Sequence, residues 1–259
     1  MQNLLIFIIL FLFGAAIGSF LNVLIDRLST GRDFVKGRSY CEHCKKTLKA
    51  MDLIPLFSFL ALKGKCRYCH VKIPVRIFLV ELFVAGLLPS IYLYSFNSSL
   101  NIISILFLVI ILICFLGIFV ADFVYGIIPD GFVLVSLIAS LFFVILGSGD
   151  FSGHFIAGFG SLIFFLSLFL VTKGKGMGFG DVKLSFVLGF LLGFPNIIIA
   201  LYIAFLTGAA VSIILVVWRK MRFFGGTIPF GPFLIGSTIA AFFFGDMIIR
   251  QFLSNVFPM

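Results

Sequence analysis

Charge is scarce in this chain of 259 residues. Only 11% of residues are charged, against about 25% in a soluble domain. There are ten acids and three His, and no Lys or Arg precedes Arg27. A soluble globular enzyme is excluded, because so few polar side chains cannot cover the surface of 62% hydrophobic residues, 37 of them Phe. Disorder is excluded by the same apolar surplus and a mean hydropathy of +1.26. The missing early basic residue removes the n-region of a secretory signal, so residues 1–25 read as a retained transmembrane helix with its N-terminus outside. What remains is an all-α polytopic membrane protein.

A helix needs about 20 apolar residues to cross the hydrocarbon layer. Runs at 3–25, 77–96, 100–121, 131–147, 155–172, 182–194, 196–217 and 233–253 predict about eight spans. The sixth is short, reaching about 20 Å at 1.5 Å per residue. Gly193 and Pro195 place a turn between it and the seventh. Twelve of the 19 Lys and Arg lie between residues 27 and 76. By the positive-inside rule that loop is cytoplasmic. Eight spans put Lys173, Lys175, Lys183, Arg219, Lys220 and Arg222 on the same side and leave Arg250 alone opposite. The net charge of +9 is therefore orientation signal and attraction to anionic headgroups, which argues against nucleic acid as a partner. The expected organisation is a first helix (1–25), a cysteine-rich cytoplasmic loop (26–76) and a seven-helix membrane domain (77–259).

The loop carries Cys41-Glu-His-Cys44 and Cys66-Arg-Tyr-Cys69, with 21 residues between the pairs. Two such pairs can set four thiolates in a tetrahedron around zinc. A reducing cytosol disfavours disulfides, and a loop this small needs a staple in place of a core. Four cysteines close the coordination sphere, so the predicted metal is structural; an apo-site or an iron site are the alternatives. His43 and His70 read as bystanders and Cys114 as packing.

Acids near span ends are costly in a membrane and repay attention. Asp122 ends the third span, Asp130 opens the fourth, and Asp181 opens the sixth after Gly176, Gly178 and Gly180. Eight spans place Asp122 and Asp181 on the cytoplasmic face. A paired carboxylate and carboxylic acid can hydrolyse a peptide, one taking a proton from water and the other polarising the carbonyl. The glycines would let an extended substrate backbone approach. Helix capping by Asp130 and Asp181 is the plainer reading, and an ion-coupled transporter is a third. A transporter would carry a repeat with matched broken helices, and no convincing repeat is visible between the halves.

Gly-Phe-Gly-Asp181 fits the GxGD signature of intramembrane aspartic proteases. The Asp122 segment ending in Ile-Pro-Asp130, the two CxxC pairs, Gly18-Ser-Phe-Leu-Asn-Val and Asp26-Arg-Leu resemble type IV prepilin peptidases. So do Ile54-Pro-Leu-Phe-Ser58, Gly64-Lys-Cys-Arg, Arg76 with Leu79-Val-Glu81, and Ile228-Pro-Phe-Gly-Pro232. Ser29 departs from the family's usual Pro after Arg27-Leu. The resemblance implies an enzyme of the bacterial cytoplasmic membrane. It would cleave the basic leader of type IV prepilins or pseudopilins, in pilus assembly or type II secretion, at the cytoplasmic face. It makes Asp122 and Asp181 the catalytic pair, a choice over Asp130 that spacing alone does not make, and leaves Asp130 as support. It also implies N-methylation of the new N-terminus with S-adenosylmethionine, with Glu81 a candidate for that second step. Gly14 and Gly18 form a GxxxG expected to pack helices. Asp246 and Arg250 have the spacing of an intrahelical ion pair.

Overall fold

A computed structural model describes residues 2–31, 33, 37, 39–98, 100–147, 151–218 and 228–256. Arg219, Lys220 and Arg222 lie outside them. The described residues form nine α-helices, and no strand is present among them. They are α1 (Gln2–Ser29), α2 (Phe57–Ala61), α3 (Val75–Asn97), α4 (Ile102–Tyr125), α5 (Asp130–Gly147), α6 (Phe151–Val171), α7 (Phe179–Leu192), α8 (Asn196–Val217) and α9 (Gly231–Val256). Seven helices among the described residues are long and apolar enough to cross a bilayer. The helix predicted as the short sixth span is α7, whose 14 residues reach about 21 Å. The chain divides into two compact units, Met1–Gly117 and Ile118–Met259.

In the first unit α1 lies against α3. A Cβ on Gly18 would come within 2.7 Å of the Glu81 Cα, and one on Gly14 within 2.5 Å of the Val84 carbonyl oxygen. The two glycines thus let the backbones meet, as a small-residue stripe does where lipid removes any hydrophobic drive between helices. Polar groups follow the same seam. Asn22 donates its Nδ2 to the Ile77 carbonyl at 3.0 Å, and Arg76 pairs with Asp26 at 2.8 Å. In the segment that joins them, α2 stacks Phe59 on Phe78 of α3 at 5.0 Å.

In the second unit α7 is the core element, with ten of its residues buried from Asp181 to Leu192. It packs on α5, α6, α8 and α9. A helix that is apolar on all sides has no preferred outer face, so it can sit inside a bundle. Close approach to α6 again depends on small residues. A Cβ on Gly189 would strike Ser161 Oγ and the Ala157 carbonyl. Ser161 Oγ donates to the Ser185 carbonyl at 2.8 Å. Gly193, with φ at +69°, ends α7 in the left-handed region. On α9, Asp246 does not form the expected ion pair with Arg250; Asn196 Nδ2 reaches it instead at 3.1 Å. The loop after α7 brings the start of α8 beside α9, and sequence spacing within α9 does not register that neighbour.

Replacing Gly18 by Val should push α1 from α3. We expect a lower thermal midpoint in detergent, equivalent to about 1–3 kcal/mol. An unchanged midpoint would show that the seam tolerates side chains.

Candidate active site and metal centre

Asp122 sits in the last turn of α4, with only 6% of its surface exposed. Gly126, at φ +66°, closes that helix by donating its N–H to the Asp122 carbonyl at 2.9 Å. The chain then passes through Ile127, Ile128 and Pro129 into α5. Asp181 lies in the first turn of α7, 7% exposed. The two acids are close enough for the charge on Asp122 to act on Asp181. A buried carboxylate needs donors, and each acid has one from the backbone. Gly231 donates its N–H to Asp122 Oδ2 at 2.8 Å, and Gly178 donates to Asp181 Oδ2 at 3.2 Å. Asp181 Oδ1 is buried with no partner among the described residues.

The three glycines before Asp181 divide by role. Gly178 precedes the first turn of α7 and supplies the N–H just described. Gly180 is already inside that turn, and a Cβ there would come within 2.9 Å of Ile128. Its smallness serves the packing of Ile128 against α7. Gly176 lies against Thr172. Asp130 is apart from the buried pair: its carboxylate is 74% exposed and meets Lys183 Nζ at 2.7 Å. That contact ties the start of α5 to the start of α7.

In the first unit Glu81 is buried, and its Oε2 accepts the Leu56 N–H at 2.7 Å. Ser19 of α1 lies beside it. Leu56 has φ at +61°, a strained value for a branched side chain, and the Glu81 bond secures it. Asn22 Oδ1, on the same face of α1 as Ser19, is buried with no partner among the described residues.

The cysteine loop contains two matching turns. Cys41 accepts at its carbonyl from Lys45, and Cys66 likewise from His70, at 2.8 and 3.0 Å. Lys45 and His70, each next to the second cysteine of its pair, both have φ at +57°. Short antiparallel bridges, Tyr40 with Thr47 and Lys65 with Lys72, close the two turns. The result brings the sulfurs of Cys41, Cys44, Cys66 and Cys69 within 4.8 Å of one another. Cys41 and Cys69 are 3.8 Å apart, the edge of a tetrahedron with metal–sulfur bonds of about 2.3 Å. Backbone N–H groups of Cys44 and His43 pull the Cys41 thiol down to about 7. Cys69 accepts the Val71 N–H, which lowers it, yet burial and the adjacent thiols push it up to about 12. Four thiolates this close repel unless a cation joins them, so the donor set fits a metal ion. Asp52 braces the second turn, bonding Arg67 at 2.7 Å and Tyr68 at 3.1 Å. Burial raises its carboxyl, but the Lys49 N–H, Tyr68 and Arg67 together hold it below the ordinary carboxylate range.

Residues 12–95 match the description of a bacterial peptidase A24 N-terminal domain, and residues 106–213 that of the type IV leader peptidase family. A prepilin leader peptidase/N-methyltransferase of Aeromonas hydrophila is 33% identical, over 96% of this chain and 94% of its own length. The chain belongs to the type IV leader peptidase family. Proteins of the same name from Legionella pneumophila and Bacillus subtilis (strain 168) are 33% and 31% identical, each over 95% of this chain. They are covered over 94% and 97% of their own lengths. No solved structure gives a significant match. Nothing in the fold or among these relatives supports the transporter reading. As a member of this family with seven membrane-length helices among its described residues, the leader peptidase is a multi-pass membrane protein.

Three partners of the acids were not assigned by sequence reasoning. Gly231 is visible in the sequence only within Ile-Pro-Phe-Gly-Pro, 109 residues from Asp122. Lys183 reads from the sequence as an orientation charge only. The sequence points to the missing side chain of Gly178, whereas the structure uses its N–H. The double substitution of Cys44 and Cys69 by Ala tests the metal centre of this leader peptidase. We expect metal content, measured by plasma mass spectrometry, to fall from about one ion per chain to none. A wild-type chain without stoichiometric metal would refute the site.

Proposed function

We propose that this chain is a membrane-embedded aspartic endopeptidase acting on type IV prepilins or pseudopilins, and that it then N-methylates the new N-terminus. The observation that carries the reading is the pair Asp122 and Asp181, both buried, within reach of each other's charge, each held by a backbone N–H. The names of the relatives supply the substrate class and the second activity. In this reading the pair holds one proton between its two carboxyls. The ionised acid takes a proton from water as its oxygen attacks the scissile carbonyl carbon. The protonated acid donates to the carbonyl oxygen and stabilises the tetrahedral state. Return of a proton to the leaving nitrogen then breaks the C–N bond. A substrate helix must unwind locally first, since its carbonyls are otherwise hydrogen-bonded.

Orientation follows from charge. With the basic residues of 26–76 inside, α4 runs inward and α7 outward, so both acids face the cytoplasm. We assign the enzyme to the bacterial inner membrane, with its N-terminus outside, and its substrates a basic leader. We take the metal of the four cysteines as structural Zn2+, because its sphere has no open position. S-adenosylmethionine supplies an electrophilic methyl group. The orphaned, buried Asn22 Oδ1 and the carboxylate of Glu81 suit a cationic group, so we place the methyl-transfer step there. Glu81 would hold the new N-terminal ammonium and accept its proton.

Mass spectrometry of a prepilin after incubation, with and without S-adenosylmethionine, tests these assignments. Asp122→Asn and Asp181→Asn should each slow leader loss about 10²–10⁴-fold. Asp130→Asn should change it less than about fivefold, as befits an exposed ion pair. Glu81→Gln should retain cleavage and lose the added methyl mass. Normal cleavage by Asp181→Asn would overturn the proposed pair, and normal methylation by Glu81→Gln would overturn the second site.

A further inference from the structure

The start of α9 has an unusual hydrogen-bond inventory. The leading N–H groups of a helix have no partner within it. In α9 the Phe233 and Leu234 N–H groups bond back to the Phe230 carbonyl at 3.0 and 3.2 Å. Pro232 has no N–H. That leaves the Gly231 N–H, and Asp122 Oδ2 accepts it at 2.8 Å within the buried interior of the unit. The same residue carries a steric condition. A Cβ at position 231 would lie 2.7 Å from Asp122 Oδ2 and 3.2 Å from its Cγ. Those are closer than a side chain of two rotatable bonds can tolerate without turning away.

The neighbour of Gly231 explains how that N–H is aimed. The Phe230 ring packs at 5.2 Å from Phe205 on α8 and 6.3 Å from Phe165 on α6. Phe165 is fully buried. The first turn of α9 is thereby pinned against two other helices, and its one free donor faces the end of α4. Asp181 has a weaker version of the same device, a 3.2 Å bond from Gly178 within its own capping turn.

We propose that Gly231 is the positioning residue of Asp122: its N–H orients the carboxylate, and its missing side chain keeps the space that the carboxylate occupies. This rests on the reading of Asp122 as catalytic. Gly231 touches neither substrate nor water in this role; it acts through Asp122. The role requires both features at one position, so no other residue type satisfies it.

Two variants separate the features. Gly231→Ala keeps the N–H and adds the Cβ. Incorporating glycolate at position 231 replaces the N–H by an ester oxygen and adds no atom. Gly236→Ala is the control, in the same helix at a site where a Cβ meets nothing within 4 Å. Leader cleavage is followed across pH, with methylation of a pre-cleaved peptide as the folding check and Asp122→Asn in parallel. We expect both position-231 variants to lower kcat at least about tenfold with KM within about twofold. We also expect their pH–rate profiles to move by about half a unit or more. Gly236→Ala should do neither. A merely structural glycine would lower stability without moving the pH profile. If the ester variant cleaves with wild-type kcat and pH profile, the inference is wrong, whatever the Ala variant does. If Asp122→Asn cleaves normally, the underlying catalytic reading fails instead.

Discussion

Carboxylates removed from water must find donors inside the protein, and in the second unit that demand is met by backbone N–H groups at the starts of helices. Asp122 takes its bond from the first residue of α9, and Asp181 from the residue that precedes α7. Backbone donors are fixed by the helix that carries them, so the acids inherit the rigidity of the bundle. The packing that holds α7 and α9 in place therefore also sets the geometry of the acids. Small residues at the α6–α7 contact and the aromatic cluster around Phe230 are parts of one arrangement.

The first unit solves a different problem with related means. Its polar loop is too short to bury a core of its own. Four sulfurs, a buried Asp52 and the Glu81 bond to the Leu56 N–H organise it. The two cysteine turns repeat each other down to the left-handed residue after the second sulfur. Two copies of one turn meeting sulfur to sulfur give a four-ligand cage from very little chain. Glu81 joins this loop to the α1–α3 seam, which makes a single side chain both a brace and a buried acid.

Membership in the type IV leader peptidase family ties these features to an enzyme that cuts and then methylates. The proposed proteolytic acids lie in the second unit, whereas the cysteines and Glu81 lie in the first. The family descriptions divide the chain similarly, at 12–95 and 106–213.

Long apolar runs, the charge asymmetry and the CxxC spacing are local properties, and each is legible without coordinates. Hydrocarbon thickness sets helix length, and tetrahedral ligation sets cysteine spacing. Eight apolar stretches and the four-sulfur cluster are legible in the chain; among the described residues seven of the stretches are helices of membrane length, and the remaining one, α7, is a helix of 14 residues. The acids were a harder case. Asp122 and Asp130 both sit at span ends, and nothing local distinguishes them. Only the folded unit buries Asp122 against Gly231 and leaves Asp130 exposed beside Lys183, 53 residues away. Sequence by itself determined which segments could be helices, where charge could lie and which thiols could share a metal. Tertiary structure alone decided which acid is buried, which glycine lends it an N–H and which acid instead meets a lysine in the open, because those partners come from helices distant in the chain and no periodicity or spacing records who packs against whom.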